Sequence, residues 1–318
     1  MKILVTGSRG LIGSALIPVL NKKGYEVTRL VRGKTIRKKN RIRWDPANGV
    51  LDPTRIEGFD AVVHLAGEGI AKGRWTVKRK AKIHDSRVKG TKLLSDTLAR
   101  LKQPPKVLVS ASAIGYYGDR VREVLNEDSP SGSGFLPVVC REWENATQPA
   151  VDAGIRVVFL RTGMVLARRG GALPKMALPF SLGLGGKVGN GNQFMSWISL
   201  DDMVGAIVHA LETDDLTGPV NAVSPHPVTN KQFTLTLGKV LNRPTFFSVP
   251  AAFLRLRFGE MADALLLAST RVEPARLQAS GYAFQHPELE SALRHVLRKR
   301  ERQKKRKKQK ERRGQKAL

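Results

Sequence analysis

The chain is poor in the residues that build covalent or metal-based sites. Its single cysteine, Cys140, excludes an intramolecular disulfide and any cysteine-built zinc site. Six histidines are scattered along 318 residues without a His-x-x-x-His pair, so no metal site is expected from the sequence. No apolar run approaches the roughly 18 residues that a membrane span needs. One of the longest, from Met261 to Ala268, is short and contains Asp263. The sequence opens on Lys2-Ile-Leu-Val-Thr6 with no signal-like segment before it, and a cytoplasmic address is expected.

Acidic residues are scarce as well: 27 against 55 Lys and Arg, a formal net charge of +28. The segment from Arg298 to Leu318 carries 13 of the bases and two acids, yet residues 1–297 still hold a net +17. Arg29 to Arg43 contains eight bases and no acid, and Lys72 to Lys92 contains nine opposed only by Asp85. Such fields attract polyanions, whether nucleic acid, anionic lipid or phosphorylated cofactors. Solvated Lys/Arg faces produce the same pattern. Residues 298–318 have no apolar face to bury, so a disordered basic tail is expected, making non-specific polyanion contacts that weaken with salt.

Hydrophobic residues make up 41% of the chain, enough for a sizeable core. Short β-branched runs at 2–6, 26–31, 61–65, 106–110, 156–161 and 219–223 alternate with helix-period stretches at 11–23, 77–101, 141–153 and 200–212. This alternation predicts an α/β fold: a doubly wound parallel sheet of Rossmann type, covered by helices on both faces. Residues 170–194 read as a Gly/Pro-rich loop facing the substrate cleft. Helical stretches at 230–241 and 251–267 then predict a smaller C-terminal lobe. The expected division is 1–223 for the Rossmann domain, 224–297 for the cap module and 298–318 for the tail.

The first strand runs into Thr6-Gly-Ser-Arg-Gly-Leu-Ile-Gly13 and then an apolar helix. That context turns a glycine triplet into a phosphate loop. Gly7 permits the turn, Gly10 lets backbone amides approach a pyrophosphate at the helix N-terminus, and Gly13 allows close helix packing. Ser8, Arg9, Leu11 and Ile12 complete the candidate set. The second strand ends in Leu30-Val-Arg-Gly-Lys34, with no acid before Asp45. An acid there would bind the ribose hydroxyl of NAD, whereas Arg suits a 2′-phosphate, so NADP(H) is the expected cofactor, with Arg32 as main partner and Arg9 or Lys34 assisting.

The Gly-x-x-Gly-x-x-Gly spacing is similar to that of short-chain dehydrogenases/reductases. Further segments resemble an atypical branch of them, the sugar nucleotide epimerase-like chains called epimerase family proteins. These are His64-Leu-Ala-Gly-Glu68, Asp85-Ser-Arg-Val88, Ser110-Ala-Ser-Ala-Ile-Gly-Tyr-Tyr-Gly118, Cys140-Arg-Glu-Trp-Glu144, Leu160-Arg-Thr-Gly163, Leu182-Gly-Leu-Gly-Gly186, Trp197-Ile-Ser-Leu-Asp-Asp202 and Val272-Glu-Pro-Ala-Arg-Leu-Gln-Ala-Ser-Gly-Tyr282. The resemblance covers about residues 1–297. It implies an extended Rossmann fold with a small C-terminal module, NADP(H) binding, Leu65, Ala66 and Gly67 on the adenosine side, and Arg87 reaching the cofactor phosphates.

One element of that superfamily is missing. Its extended members use a Tyr-x-x-x-Lys pair as proton shuttle, and none of the four tyrosines here has Lys four residues on. By alignment on Glu144, Leu136 and Cys140 stand in the two places. Ser112 matches the superfamily's catalytic serine by its spacing to Tyr116, so Ser112 with Tyr116 or Tyr117 forms the residual candidate set, with Arg120 as a charge that lowers a tyrosine pKa. The alternative is that both tyrosines pack the loop. Arg161 at a strand end either holds an anionic substrate group or makes a lobe-interface salt bridge. Asp201 and Asp202 suit a helix N-terminus, and Cys140 suits a buried apolar position.

Three functions remain open. One is an NADP-dependent oxidoreductase or epimerase acting on an unidentified small polar or nucleotide-sugar substrate. A second is a cofactor-binding regulatory protein with little chemistry, cell-division-associated by resemblance. The third, a nucleic-acid-associated scaffold, lacks any recognition-module signature.

Overall fold

Ile3, Leu4 and Val5 in one run, and Ala61, Val62 and Val63 in another, are all fully buried. Consecutive buried residues of this kind belong to strands covered on both faces rather than to half-exposed, alternating ones. The computed structural model of the chain describes residues 1–33, 40–71 and 73–297. Lys34, expected to assist Arg32, and the segment 298–318 lie outside the described residues.

The main sheet contains β1 (Lys2–Thr6), β2 (Glu26–Val31), β3 (Arg41–Asp45), β4 (Val50–Leu51), β5 (Ala61–His64), β6 (Val107–Ala113), β8 (Arg156–Thr162) and β13 (Gly218–Ala222). Their order is β13-β8-β6-β5-β1-β2-β3-β4, parallel throughout except for β4. Four short ladders surround it: β7 (Val124–Leu125) with β16 (Arg271–Val272), β9 (Met164–Leu166) with β12 (Trp197–Ser199), β10 (Gly186–Val188) with β15 (Phe247–Val249), and β11 (Phe194–Met195) with β14 (Val228–Thr229).

Helices α1 (Leu11–Lys22) and α6 (Leu200–Glu212) pack Leu16, Leu20, Met203 and Ile207 into one core. Helices α2 (Val77–Leu98) and α4 (Gln148–Asp152) place Leu94, Leu98 and Ala150 in the other, against Leu30, Ile42 and Leu108. The doubly wound expectation therefore holds. The C-terminal part builds a third cluster from α5 (Leu173–Ser181), α7 (Asn230–Leu241) and a helix over 289–297, through Phe180, Phe233, Leu237 and Leu293.

Several local expectations are corrected. Arg41–Asp45 is a sheet strand, although the sequence reading saw only a charge cluster; Ile42 and Trp44 point inward between outward-facing charged residues. The helix expected at 141–153 begins earlier, as α3 (Phe135–Asn145) after Gly134, and breaks before Pro149. The 170–194 loop contains α5, opened by Pro174 in its first turn. The stretch 251–267 is interrupted at Gly259, whose φ of +62° suits glycine, so α8 (Ala251–Phe258) ends there.

Proton accounting locks the junction of β1, β5 and α2. Thr6 Oγ1 accepts from the backbone amides of Leu65 at 3.0 Å and Ala66 at 3.1 Å, so its own proton goes to His64 Nδ1 at 2.8 Å. His64 then carries its proton on Nε2 and donates to Thr91 Oγ1 at 3.0 Å. Burial pushes this imidazole down to about 4. Because the folded-state pKa is depressed, the neutral ring stabilises the fold fully above pH 6.5, and that contribution is lost as pH falls toward 4. The loss amounts to about 3 kcal/mol. Urea melts from pH 7 to 4 are expected to show this slope in the wild type and not in His64→Gln. A midpoint for the His64 ring near 6.5 in an NMR titration would refute the assignment.

Candidate functional site

The turn from β1 into α1 is built on backbone contacts that admit no side chain. A Cβ on Gly7, whose φ is +62°, would lie 2.4 Å from the Leu65 carbonyl oxygen, and one on Gly13 would lie 2.5 Å from that of Gly7. Gly10 caps α1 without any side-chain hydrogen bond, so the first-turn amides keep their donors for something else. Beside them opens a cleft of about 430 Å³. Gly7, Ser8, Arg9 and Gly10 form one side of it, Leu65, Ala66 and Gly67 another, and Arg32 stands at the end of β2.

Those expected residues are brought together. Leu11, Ile12 and Gly13 open the helix behind them, partly or fully buried. Arg87 lies beside Gly67: its Nη1 donates to the carbonyls of Glu68 and Ile83 at 3.0 Å, and the guanidinium lies over the Trp143 ring. Burial lowers its pKa. The sequence reading missed Leu30, Val31, Trp44, Pro46 and Ser86 as further lining. The alternation Arg41-Ile-Arg-Trp-Asp45 was the available signal for Trp44.

A second group lies at the carboxyl ends of β6 and β8. Ser112 Oγ donates to Glu144 Oε1 at 2.6 Å, and Arg161 grips the same carboxylate with Nε at 2.9 Å and Nη2 at 2.8 Å. Arg161 Nη1 donates to the Tyr117 hydroxyl at 3.1 Å and to the Glu127 carbonyl at 3.2 Å. Burial works against the arginine's charge, but Glu144 outweighs it and the pKa is raised. The Arg161 donors thus face inward; of the two readings the sequence left open, a salt bridge is what the residue makes, to α3 within the sheet domain and not across the lobe interface.

The two adjacent tyrosines separate. Tyr117 is fully buried, its hydroxyl donating to Asn221 Oδ1 at 2.7 Å, and burial pushes the phenol up to about 12 in spite of Arg161. Tyr116 is half-buried, its ring 3.5 Å from the Arg161 guanidinium carbon. Arg120, expected to act on a tyrosine, instead pairs with Glu123 at 2.7 Å. Leu136 and Cys140 stand against Gly115, and burial pushes the Cys140 thiol up to about 12. Nothing in the sequence marks Glu144 as a site residue; its central place depends on contacts between α3 and β8 that no spacing encodes.

A glycine turn at a helix N-terminus, a cleft at the carboxyl ends of parallel strands and a serine at the end of β6 define a dinucleotide-binding protein of the short-chain dehydrogenase/reductase class. The profile described as the NAD dependent epimerase/dehydratase family matches residues 3–223, and the chain belongs to that family. A domain of unknown function, DUF1731, matches residues 249–296. The chain is 42% identical to an epimerase family protein of Mycobacterium bovis over 291 residues, 92% of this chain and 96% of that one. It is similar to human epimerase family protein SDR39U1, whose isoform 2 crystal structure contains NADPH. That match has 38% identity and a TM-score of 0.85, over 93% of this chain and 99% of the other. A UDP-glucose 4-epimerase from Thermotoga maritima shares the fold, with a TM-score of 0.73 at 19% identity over 94% and 99% of the two chains.

The buried ion pair generates a stability prediction. Removing one partner strands a charge, so Glu144→Ala is expected to cost about 3–5 kcal/mol in urea denaturation. The double replacement Glu144→Leu/Arg161→Met is expected to cost less than Glu144→Ala alone. A single-variant cost under about 1 kcal/mol, the range of exposed pairs, would show the pair to be superficial.

Proposed function

We propose that the chain binds NADP(H) in the cleft beside Gly7–Gly13 and serves as an oxidoreductase or epimerase for a small polar or nucleotide-sugar substrate. The observation that carries the cofactor assignment is the charge at the end of β2: Arg32 and Arg9 both line the cleft, and β2 ends without an acid. The NADPH held by the human relative supports the same choice. The first-turn amides of α1 would hold the pyrophosphate, Arg9 and Arg32 the 2′-phosphate, and Trp44 with Pro46 an apolar wall. When bound, the dinucleotide supplies hydride exchange at its nicotinamide.

The protein's part is proton handling. Ser112 commits its only proton to Glu144, so toward a substrate it presents lone pairs and accepts from a hydroxyl. A proton leaving that hydroxyl passes to Ser112 Oγ as the serine proton moves to Glu144 Oε1. Tyr116, half-buried and beneath the Arg161 charge, is the second acid–base candidate. Tyr117 is better read as a structural strut, since a phenol with a pKa near 12 releases no proton at neutral pH. The apolar pair Leu136 and Cys140 favours slow chemistry, and a cofactor-binding protein without turnover is the second reading.

The wild type is expected to bind NADPH more tightly than NADH in a fluorescence titration, and Arg32→Asp to weaken NADPH by about 10- to 100-fold. Equal wild-type affinities would sink the assignment.

Screened against carbonyl and nucleotide-sugar substrates, turnover is expected to fall about 100-fold in Ser112→Ala and Tyr116→Phe with NADPH affinity retained. Tyr117→Phe should lower the melting temperature without that loss. Normal turnover in both of the first two variants overturns the site, and tight NADPH binding with no turnover in the wild type selects the second reading.

A further inference from the structure

Two histidines and an aspartate, far apart in sequence, meet where the C-terminal module touches the sheet domain. Asp201 lies in the first turn of α6, His286 in the segment after Tyr282, and His295 on the helix over 289–297. One ligand-type atom of each lies within 4.8 Å of the other two. The imidazoles of His286 and His295 stack with centroids 4.2 Å apart and a 31° tilt, and His295 Nε2 stands 2.5 Å from Asp201 Oδ2. His286 Nδ1 is buried and has no hydrogen-bond partner among the described residues.

The backbone beneath this group is fixed. The fully buried Asp202 carboxylate accepts from the amides of Gln285 at 2.6 Å and His286 at 3.0 Å. The Tyr282 hydroxyl donates to the Asp202 carbonyl at 3.0 Å. Ser199 caps α6 and donates to Asp202 Oδ2 at 2.7 Å, so Asp201 and His286 are held by one shared support.

We propose that Asp201, His286 and His295 bind a divalent transition-metal ion of the zinc type, with water completing the shell, and that this ion clamps the C-terminal module to α6. Two imidazoles and one carboxylate are the donor set such ions take, whereas calcium and magnesium prefer oxygen throughout. In a tetrahedral shell with ligands at about 2.0–2.1 Å, donor atoms lie roughly 3.3 Å apart. For an ion to enter, the His286 donor, within 4.8 Å of the other two, must draw in toward them, and the His295–Asp201 contact must open by less than an ångström, roughly. Both side chains are partly exposed, at 33% and 41%, which gives them room to move and gives water a place. The imidazole of His286 is also one whose polar edge the described residues leave unsatisfied, a cost that ligation through either ring nitrogen would help to offset by ordering the ring.

The test uses the full chain, stripped with a chelator and titrated with Co²⁺ in the absence of dinucleotide, so that its outcome is independent of the cofactor reading. Visible absorption saturating at one equivalent, displacement by one equivalent of Zn²⁺ and a rise in melting temperature with Zn²⁺ are expected. His286→Ala, His295→Ala and Asp201→Asn should each weaken Co²⁺ binding at least about tenfold. His226→Ala, which removes the neighbouring His226–Glu288 pair, should leave it unchanged. Absence of the absorption band in the wild type, or its persistence in the His286→Ala/His295→Ala double variant, would overturn the proposal.

Discussion

The ion pair of Arg161 and Glu144 is the constraint on which the carboxyl ends of β6 and β8 depend. Burying opposite charges costs several kcal/mol per ion, and the pair is tolerable only where the remaining donors and acceptors are also satisfied. Here the satisfaction is distributed over distant parts of the chain. Arg161 on β8 bonds Glu144 on α3, Tyr117 after β6 and the Glu127 carbonyl, while Glu144 takes the proton of Ser112. Tyr117 passes the connection to Asn221 on β13, whose side-chain amide donates to the Glu273 carbonyl in the C-terminal module at 3.0 Å. Moving α3 by the length of one hydrogen bond would therefore disturb a serine, a tyrosine and a strand end together.

The phosphate loop was legible because its chemistry is local. Gly7, Gly10 and Gly13 answer to a turn and a close approach that lie within a few residues of sequence, and Arg32 answers to its place at a strand end. The β6–β8 cluster was legible only as a set of names. Tyr116 and Tyr117 are indistinguishable in sequence, and a single step of backbone sends one phenol into a bonded, buried slot and leaves the other half-buried. Arg161 likewise carries a fork that fits a substrate anion as well as a carboxylate, and only α3 decides which it meets. Strand β3 was hidden by composition: its outward Arg41 and Arg43 joined a basic run in the eye, while the inward Ile42 and Trp44 carried the strand.

The missing Tyr-x-x-x-Lys pair changes what α3 contributes. In the places of the pair stand Leu136 and Cys140, packed against Gly115, so the helix offers the site an apolar face there. One turn further on, the same helix delivers Glu144 to Ser112. A lysine lowers a tyrosine pKa by proximity of charge; in this chain the cation over the Tyr116 ring is Arg161, and its charge is shared with Glu144 and spread over the face of the ring. On the proposed reading, the proton path would run through a hydroxyl and a carboxylate in place of a phenol and an ammonium.

That substitution also bears on which direction of chemistry suits the site. A serine whose proton is already donated to a carboxylate cannot, without rearrangement, donate to a carbonyl oxygen; it is arranged to accept from an alcohol. Reduction of a carbonyl would require the proton to start on Glu144, a form that Arg161 disfavours by stabilising the carboxylate, and to return through Ser112. Oxidation of a hydroxyl would start from the carboxylate that the structure holds and bring the proton to Glu144 Oε1, an oxygen that also accepts from Arg161 Nε, so the ion pair opposes the end of that path as it opposes the start of the other. The ion pair that fixes the geometry thus sets the resting arrangement, a carboxylate on Glu144 with Ser112 turned to accept, which on the proposed reading is the arrangement that would receive a hydroxyl-bearing substrate.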